Sequence, residues 1–268
     1  MPSYVITGAN RGIGLAFVQN LGADSRNQVF AVVRNKPGAT ALLEFQSTHP
    51  NVHVYQADII DVKSLKLAAE GMAKVTGGTL DVLINNAALI EESSMASNLT
   101  NYDGKEDVLE KLLAESFHVN TIGPIHTSNV FLPLIRKGDL KKIILISTGL
   151  ADLKATLSVE IDGSAPYSIS KAAANMAFAK YAAAVKKEGI VVLSISPGLV
   201  NTQQSIPPPE VLAEFAKMIA KFKTLAPEWD GQPITPEQSV EMVLKVIQDA
   251  TLDQTGGFVS HHGNQEWL

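Results

Sequence analysis

Short β-branched apolar runs alternate with longer stretches of mixed polarity along nearly the whole chain. Tyr4-Val5-Ile6-Thr7, Val29-Phe30-Ala31-Val32-Val33, Val52-His53-Val54-Tyr55 and Asp81-Val82-Leu83-Ile84-Asn85 predict the first four strands. Ile143-Ile144-Leu145-Ile146-Ser147, Ile190-Val191-Val192-Leu193-Ser194-Ile195 and Gly257-Phe258-Val259 predict three more. Near-continuous apolar runs mark strands buried on both faces, as a parallel sheet requires. The intervening segments are long enough for crossover helices. This alternation predicts an α/β fold, a doubly wound parallel sheet of about seven strands with helices on both faces. A single domain spanning residues 1–268 is expected.

Two segments break the rhythm. Residues 149–166 connect the fifth strand to its helix without clear periodicity. Residues 201–235 carry Pro207-Pro208-Pro209, an amphipathic stretch from Val211 to Phe222, then Pro227, Trp229 and Pro233. Both follow strand ends, on the edge where open α/β sheets bind ligands. Long loops there are usually functional, and both are assigned to substrate binding.

Composition narrows the function classes. The 268 residues carry a net charge of −5, with 46% hydrophobic and 18% charged residues. The charge content is below the roughly 25% usual for globular chains, which predicts apolar surface reserved for a ligand or a subunit partner. The acidic balance, with a pI of about 5.7, argues against a nucleic-acid partner. No apolar run is long enough to span a membrane. Strand signal begins at Tyr4, which leaves no room for a secretory leader, so a cytoplasmic location is expected. With no cysteine there is no disulfide framework, thiol nucleophile or thiolate metal site.

Thr7-Gly8-Ala9-Asn10-Arg11-Gly12-Ile13-Gly14 follows the first strand and opens the first helix. Glycines let the chain turn tightly and approach a pyrophosphate, and the helix N-terminus offers unpaired N–H groups to it. The G-x-x-x-G-x-G spacing differs from the commoner G-x-G-x-x-G, but its strand–loop–helix setting points to a nucleotide. Twenty residues past Gly14 stands Arg34, at the end of the second strand. An acid there would hold the ribose hydroxyls of NAD. An arginine suits the 2′-phosphate of NADP(H), with Arg11 as a second cation.

Tyr167-Ser168-Ile169-Ser170-Lys171 opens an alanine-rich helix. Four residues is about one turn, so Tyr167 and Lys171 share a face. A phenol titrates near 10, and a neighbouring ammonium lowers that value, which fits Tyr167 for general acid catalysis.

Together with Asp58, N-N-A-A at 85–88, Asn120, Ser147-Thr148 and P-G-L-V-N-T at 197–202, these motifs resemble the short-chain dehydrogenase/reductase family over almost the full chain. The resemblance implies a Rossmann-like fold and a cofactor held by Gly8, Asn10, Arg11, Gly12, Ile13, Gly14 and Arg34. It implies that Asp58 and Ile59 flank the adenine and that Asn86 and Ala87 lie beside the cofactor. Pro197, Gly198, Val200 and Thr202 would line the nicotinamide end. Tyr167 would deliver the proton, and Lys171 would lower its pKa and bind the nicotinamide ribose. Asn120 would keep a helix kinked and hold a relay water. The family usually has I-S-S where this chain has Ile146-Ser147-Thr148. Thr148 matches the carbonyl-polarising serine, and strand alternation would turn Ser147 to the opposite side, so Thr148 is favoured over Ser147.

Other signals are set aside. His261 and His262 are adjacent and would face opposite ways in a strand, a poor metal pair, so no metal site is expected. Asn98-Leu99-Thr100 is a chance glycosylation match without a secretory signal. The small residues of the 167–185 helix permit close packing, and the resemblance implies a homodimer or homotetramer through this helix and the one before it. The resulting expectation is an NADP(H)-dependent carbonyl reductase interconverting a ketone or aldehyde with its alcohol. Leu150, Leu153, Phe215 and Trp229 are expected in an apolar pocket for a bulky substrate. Alcohol oxidation, enone reduction and a non-catalytic cofactor-binding regulator are the rival readings.

Overall fold

Each predicted strand is present, within one or two residues of its expected ends. The computed structural model describes residues 1–268 except Ala96 and residues 204–208, with the side chains at 92, 209–211, 214 and 225 also outside the description. Pro207, Pro208 and the Val211 side chain therefore lie outside the described residues. The strands are β1 (Ser3–Thr7), β2 (Gln28–Val33), β3 (Val52–Gln56), β4 (Val82–Asn85), β5 (Lys142–Ile146), β6 (Val191–Ser196) and β7 (Phe258–Ser260). They form one parallel sheet in the order β3-β2-β1-β4-β5-β6-β7. The order reverses between β1 and β4. Open α/β sheets bind ligands beyond the strand ends at such a switch point.

The helices are α1 (Gly12–Gly22), α2 (Thr40–Thr48), α3 (Val62–Thr76), α4 (Glu92–Met95) and α5 (Glu106–Phe117), then α6 (Gly123–Ile135), α7 (Leu153–Ser158), α8 (Ala165–Val185), α9 (Pro209–Leu225) and α10 (Pro236–Asp249). Strand alternation sorts the core into two layers. Tyr4, Ile6, Ile84, Ile144 and Ile195 face α1 and α10, where Phe17, Val240 and Val243 are buried. Val5, Leu83, Ile143, Leu145 and Val192 face α3, α6 and α8 through Leu65, Phe131 and Phe178. Helices on both faces explain why the strands read as continuous apolar runs.

Asp81, expected to begin β4, instead braces the sheet from just before it. Its carboxylate accepts from the Ser3 N–H at 2.8 Å and hydroxyl at 2.9 Å, and from the Asp139 N–H at 2.9 Å. Between α5 and α6 the chain does not leave the helix. Residues His118–Ile122 form a π-helical turn, so the helical run is unbroken from Glu106 to Ile135. Among the described residues no helix is long and apolar enough to cross a membrane.

Candidate active site at the carboxyl ends of the central strands

β1 delivers the chain into a tight loop. Gly8 takes φ +68° and donates its N–H to the Val32 carbonyl at 2.9 Å. Gly12, at φ +52°, starts α1, whose N-cap Arg11 makes no side-chain cap and whose first turn carries no acid. The first N–H groups of α1 are thus left for an anion. A Cβ on Gly14 would lie 2.2 Å from the Gly8 carbonyl oxygen and 2.6 Å from Asn86 Nδ2, so the helix meets the loop only because position 14 has no side chain.

The loop is fastened to the end of β4 by Thr7 and Asn86. The Thr7 hydroxyl accepts from the N–H groups of Asn86 at 3.0 Å and Ala87 at 3.1 Å. Asn86 Nδ2 donates back to the carbonyls of Thr7 at 3.0 Å and Gly8 at 3.2 Å. Asn86 therefore holds the loop in shape, and Thr7, absent from the expected site residues, is its counterpart. Asn10, Arg11 and Arg34 are exposed around the loop, and neither arginine has a hydrogen-bond or ion-pair partner among the described residues. Asp58 follows β3, its carboxylate accepting from the Ile60 N–H at 3.2 Å, while the buried Ile59 packs against Gly123. Ile13 packs half-buried onto the core. Thr202 reaches the opposite side of the loop, where a Gly12 Cβ would be 3.2 Å from its methyl group. Val200 is held by a bridge to Ile234, and the Pro197 carbonyl accepts from the Ser239 hydroxyl at 2.7 Å.

β5 and α8 converge beside this cleft. Lys171 is 1% exposed, and its ammonium donates to the Ile146 carbonyl at 2.8 Å. It lies 5.9 Å from the centre of the Tyr167 ring, as their spacing on one helix face predicts. Burial pulls the Lys171 ammonium down to about 8. Burial also pushes the Tyr167 phenol up from its ordinary value, and a hydrogen bond with Thr148 is the opposing influence. The expected lowering by Lys171 is therefore corrected: desolvation dominates, and Thr148 rather than the ammonium offsets it. The phenol stays protonated at neutral pH, the state a proton donor needs.

Strand alternation separates the two hydroxyls as expected. Ser147 is 2% exposed and donates to Asn175 Oδ1 at 2.7 Å inside the protein. Thr148, at the N-cap of a short helical turn, faces the cleft with Tyr167. Ser147 is thus committed elsewhere.

Asn120 sits in the π turn, fully buried. Its Oδ1 accepts from the Leu89 N–H at 2.7 Å, and its Nδ2 donates to the Leu89 carbonyl at 2.8 Å and the Ser170 hydroxyl at 3.0 Å. Ser170 in turn donates to the Tyr167 carbonyl at 2.7 Å. Both amide donors are spent on holding the loop after β4 against the start of α8, an arrangement whose sequence trace was only the serine three residues after Tyr167.

Beside Thr148 is a chamber of about 80 Å³ lined by Leu150, Leu199, Met218 and Phe222. Leu150 and Phe215 also line an adjoining space of about 280 Å³ under α9, and Trp229 lines a cavity of about 920 Å³ beyond Leu199. Leu153, expected in this pocket, is 79% exposed. α7 is too short for composition to reveal which way each residue turns, and Ala155 is its buried member. His261 and His262 do not face opposite ways, because they follow β7 in a turn with ring centres 3.9 Å apart. Burial and the neighbouring ring hold His261 down at about 4.

The family model for short chain dehydrogenases matches residues 3–208. A short chain dehydrogenase, virK, of Hypocrea virens is 42% identical over 272 residues, covering 100% of both chains. The short-chain dehydrogenase/reductase AacuF of Aspergillus aculeatus is 43% identical over 276 residues, again with 100% of each chain covered. Among solved structures, an NADPH-bound carbonyl reductase from chicken fatty liver is similar with a TM-score of 0.79 and 28% identity, covering 98% of each chain. The motifs, the sheet order and these relatives agree, and the chain belongs to the short-chain dehydrogenase/reductase family of oxidoreductases.

Proposed function

We propose that this chain is an NADP(H)-dependent carbonyl reductase acting on a ketone or aldehyde. The observation that carries the reading is the pairing of Thr148 with a protonated Tyr167, one turn from the buried Lys171, beside an uncapped helix N-terminus.

The cleft fits a 2′-phosphorylated dinucleotide. The α1 N-terminus and the side-chain-free surface at Gly8, Gly12 and Gly14 suit a pyrophosphate. Arg11 and Arg34, without a partner among the described residues, suit a further phosphate on the ribose. Asp58 and Ile59 would border the adenine, Asn86 and Ala87 the middle of the cofactor, and Pro197, Gly198, Val200 and Thr202 the nicotinamide. When bound, the cofactor supplies a hydride to the carbonyl carbon. The Thr148 hydroxyl orients the carbonyl oxygen, and Tyr167 delivers a proton to it, so that the added hydride and proton together give the alcohol. Lys171 stands next to the phenolate left behind and within reach of a ribose. Asn120 is a positioning residue, holding Leu89 and α8 in register. Residues 149–166 and the described part of 201–235 supply the apolar walls through Leu150, Phe215 and Phe222. A panel of ketones and aldehydes with NADPH, followed by loss of cofactor absorbance, tests the reading. It fails if no carbonyl compound consumes NADPH and an alcohol panel with NADP is equally silent.

A homodimer accompanies this reading. Phe117 of α5 is 43% exposed, and Ile169 and Met176 of α8 are 45% and 61% exposed. These packed helices present one apolar face, and a self-complementary face of this kind closes most simply with two-fold symmetry. Light scattering should give twice the 28.6 kDa chain mass, and Met176→Lys with Ile169→Lys should halve it.

A further inference from the structure

The three spaces around the site differ greatly in size and are separated by named side chains. The chamber that contains Thr148 holds about 80 Å³, whereas the cavity behind it holds about 920 Å³. Ala155, Leu199, Trp267 and Leu268 line both, so they form the wall between them. Trp267 is the one ring in that wall, and it is held from two sides. Its indole stacks on Phe258 with centres 4.5 Å apart and planes at 28°. A Cβ on Gly149 would come within 3.0 Å of Trp267 Cβ, so the lack of a side chain at 149 lets the tryptophan lie against the turn after Thr148. The residue is 9% exposed. On the other side the chamber opens differently. Leu150, Ile161 and Met218 line both it and the space of about 280 Å³ under α9.

We infer that Trp267 is a specificity-determining residue that caps the chamber beside Thr148 and thereby restricts one substituent of the carbonyl to a short group. This rests on the carbonyl reductase reading. A cavity of ~150 Å³ takes up benzene, so the capped chamber, at about 80 Å³, takes a short alkyl group rather than a ring. The substituent on the α9 side has over three times that room. The substrate class is an asymmetric ketone, or an aldehyde, with one small and one large apolar arm. Removing the indole frees a volume of the order of ~150 Å³, the scale of an engineered cavity that takes up benzene, and joins the chamber to the large cavity.

The experiment uses phenyl alkyl ketones from methyl to pentyl, with kcat/KM measured at saturating NADPH and binding to the protein measured separately by calorimetry. A methylene too many in a closed pocket costs about 10- to 200-fold, so the wild-type protein should lose at least about tenfold in kcat/KM per excess carbon once the chamber is full. Trp267→Ala should flatten that decline, Trp267→Leu should shift it by one or two carbons, and Trp267→Phe should largely keep it. Equal NADPH affinity and a cooperative melt identify variants that have folded. A wild-type series without a cut-off, or a cut-off unchanged in folded Trp267→Ala and Trp267→Leu, overturns the inference and leaves the reductase reading intact. A binding cut-off that the variants relieve, with no turnover of any ketone, supports the cap and overturns the reductase reading. Absence of both turnover and binding overturns both.

Discussion

Gly14→Ala offers a sharp test of how the glycine loop is built. The added methyl would meet the Gly8 carbonyl oxygen at 2.2 Å and Asn86 Nδ2 at 2.6 Å. Neither can withdraw easily. Gly8 is held by its N–H bond to Val32 at 2.9 Å, and the Asn86 amide by bonds to two loop carbonyls. Forcing one methyl group into packed surroundings costs about 1–3 kcal/mol, and one disrupted hydrogen bond adds about 1 kcal/mol. A total of about 3 kcal/mol would appear as lost stability if the folded loop keeps its shape, and as weaker cofactor binding if the loop shifts and must be restored when the cofactor binds. In the second case NADPH affinity falls by about 100-fold, at 1.4 kcal/mol per factor of ten. Two companion variants isolate the cause. Gly77, at φ +68° with nothing within 4 Å of its Cβ position, measures backbone strain alone. Gly77→Ala should cost roughly 1–2 kcal/mol of stability and leave NADPH affinity unchanged. Gly12, at φ +52° with Thr202 at 3.2 Å, should show that strain plus a modest loss of affinity. Urea melts and fluorescence titration with NADPH supply the data. If Gly14→Ala melts and binds as the wild type does, the close-approach argument is wrong.

Three further outcomes are expected. Tyr167→Phe keeps the ring, so NADPH affinity should hold while single-turnover hydride transfer falls by about 10² to 10⁴; an unchanged rate would refute the proton-donor role. Arg34→Asp should weaken NADPH by about 2 kcal/mol and spare NADH, as read by parallel titrations; a wild type that prefers NADH would refute the assignment. With Lys171 held down at about 8, kcat/KM should decline as pH rises through that value, since the ammonium is the working form. Stability should move the other way. The unfolded lysine keeps its proton up to about 10.5, so the cost of burying the ammonium is full below pH 8 and is relieved between 8 and 10.5. A Lys171→Met melt that shows no change in this pH window relative to wild type would remove the assignment.

The strands were legible because double burial writes itself into composition: Ile143 to Ile146 needs apolar contacts on both sides of the sheet. The shared face of Tyr167 and Lys171 followed from helix periodicity, and the opposite facing of Ser147 and Thr148 from strand alternation. Where contacts join remote parts of the chain, local pattern was silent. Thr7 meets Asn86 across 79 residues and Asn120 meets Ser170 across 50. Trp267 reaches Gly149 through the packing of β7, which no spacing rule anticipates. Leu153 failed for the opposite reason, since an apolar residue near a site says nothing about its orientation. The phenol of Tyr167 differed because the cost of burial depends on the surroundings of the folded chain, while the motif shows only the neighbouring lysine.

The π turn at His118–Ile122 makes chain length itself part of the site. Each residue of an α-helix turns the next by about 100°. Deleting one residue from this turn would shift the register between α5 and α6, where Pro124 has no N–H to give to the turn before it, and it would swing Asn120 by that angle away from Leu89 and Ser170. A π-helical turn is a rarely adopted geometry that recurs at functional positions, and the shortened chain would lose the clamp between the loop after β4 and α8. Substitution scanning, which changes side chains and keeps every residue, would never sample this dependence on length.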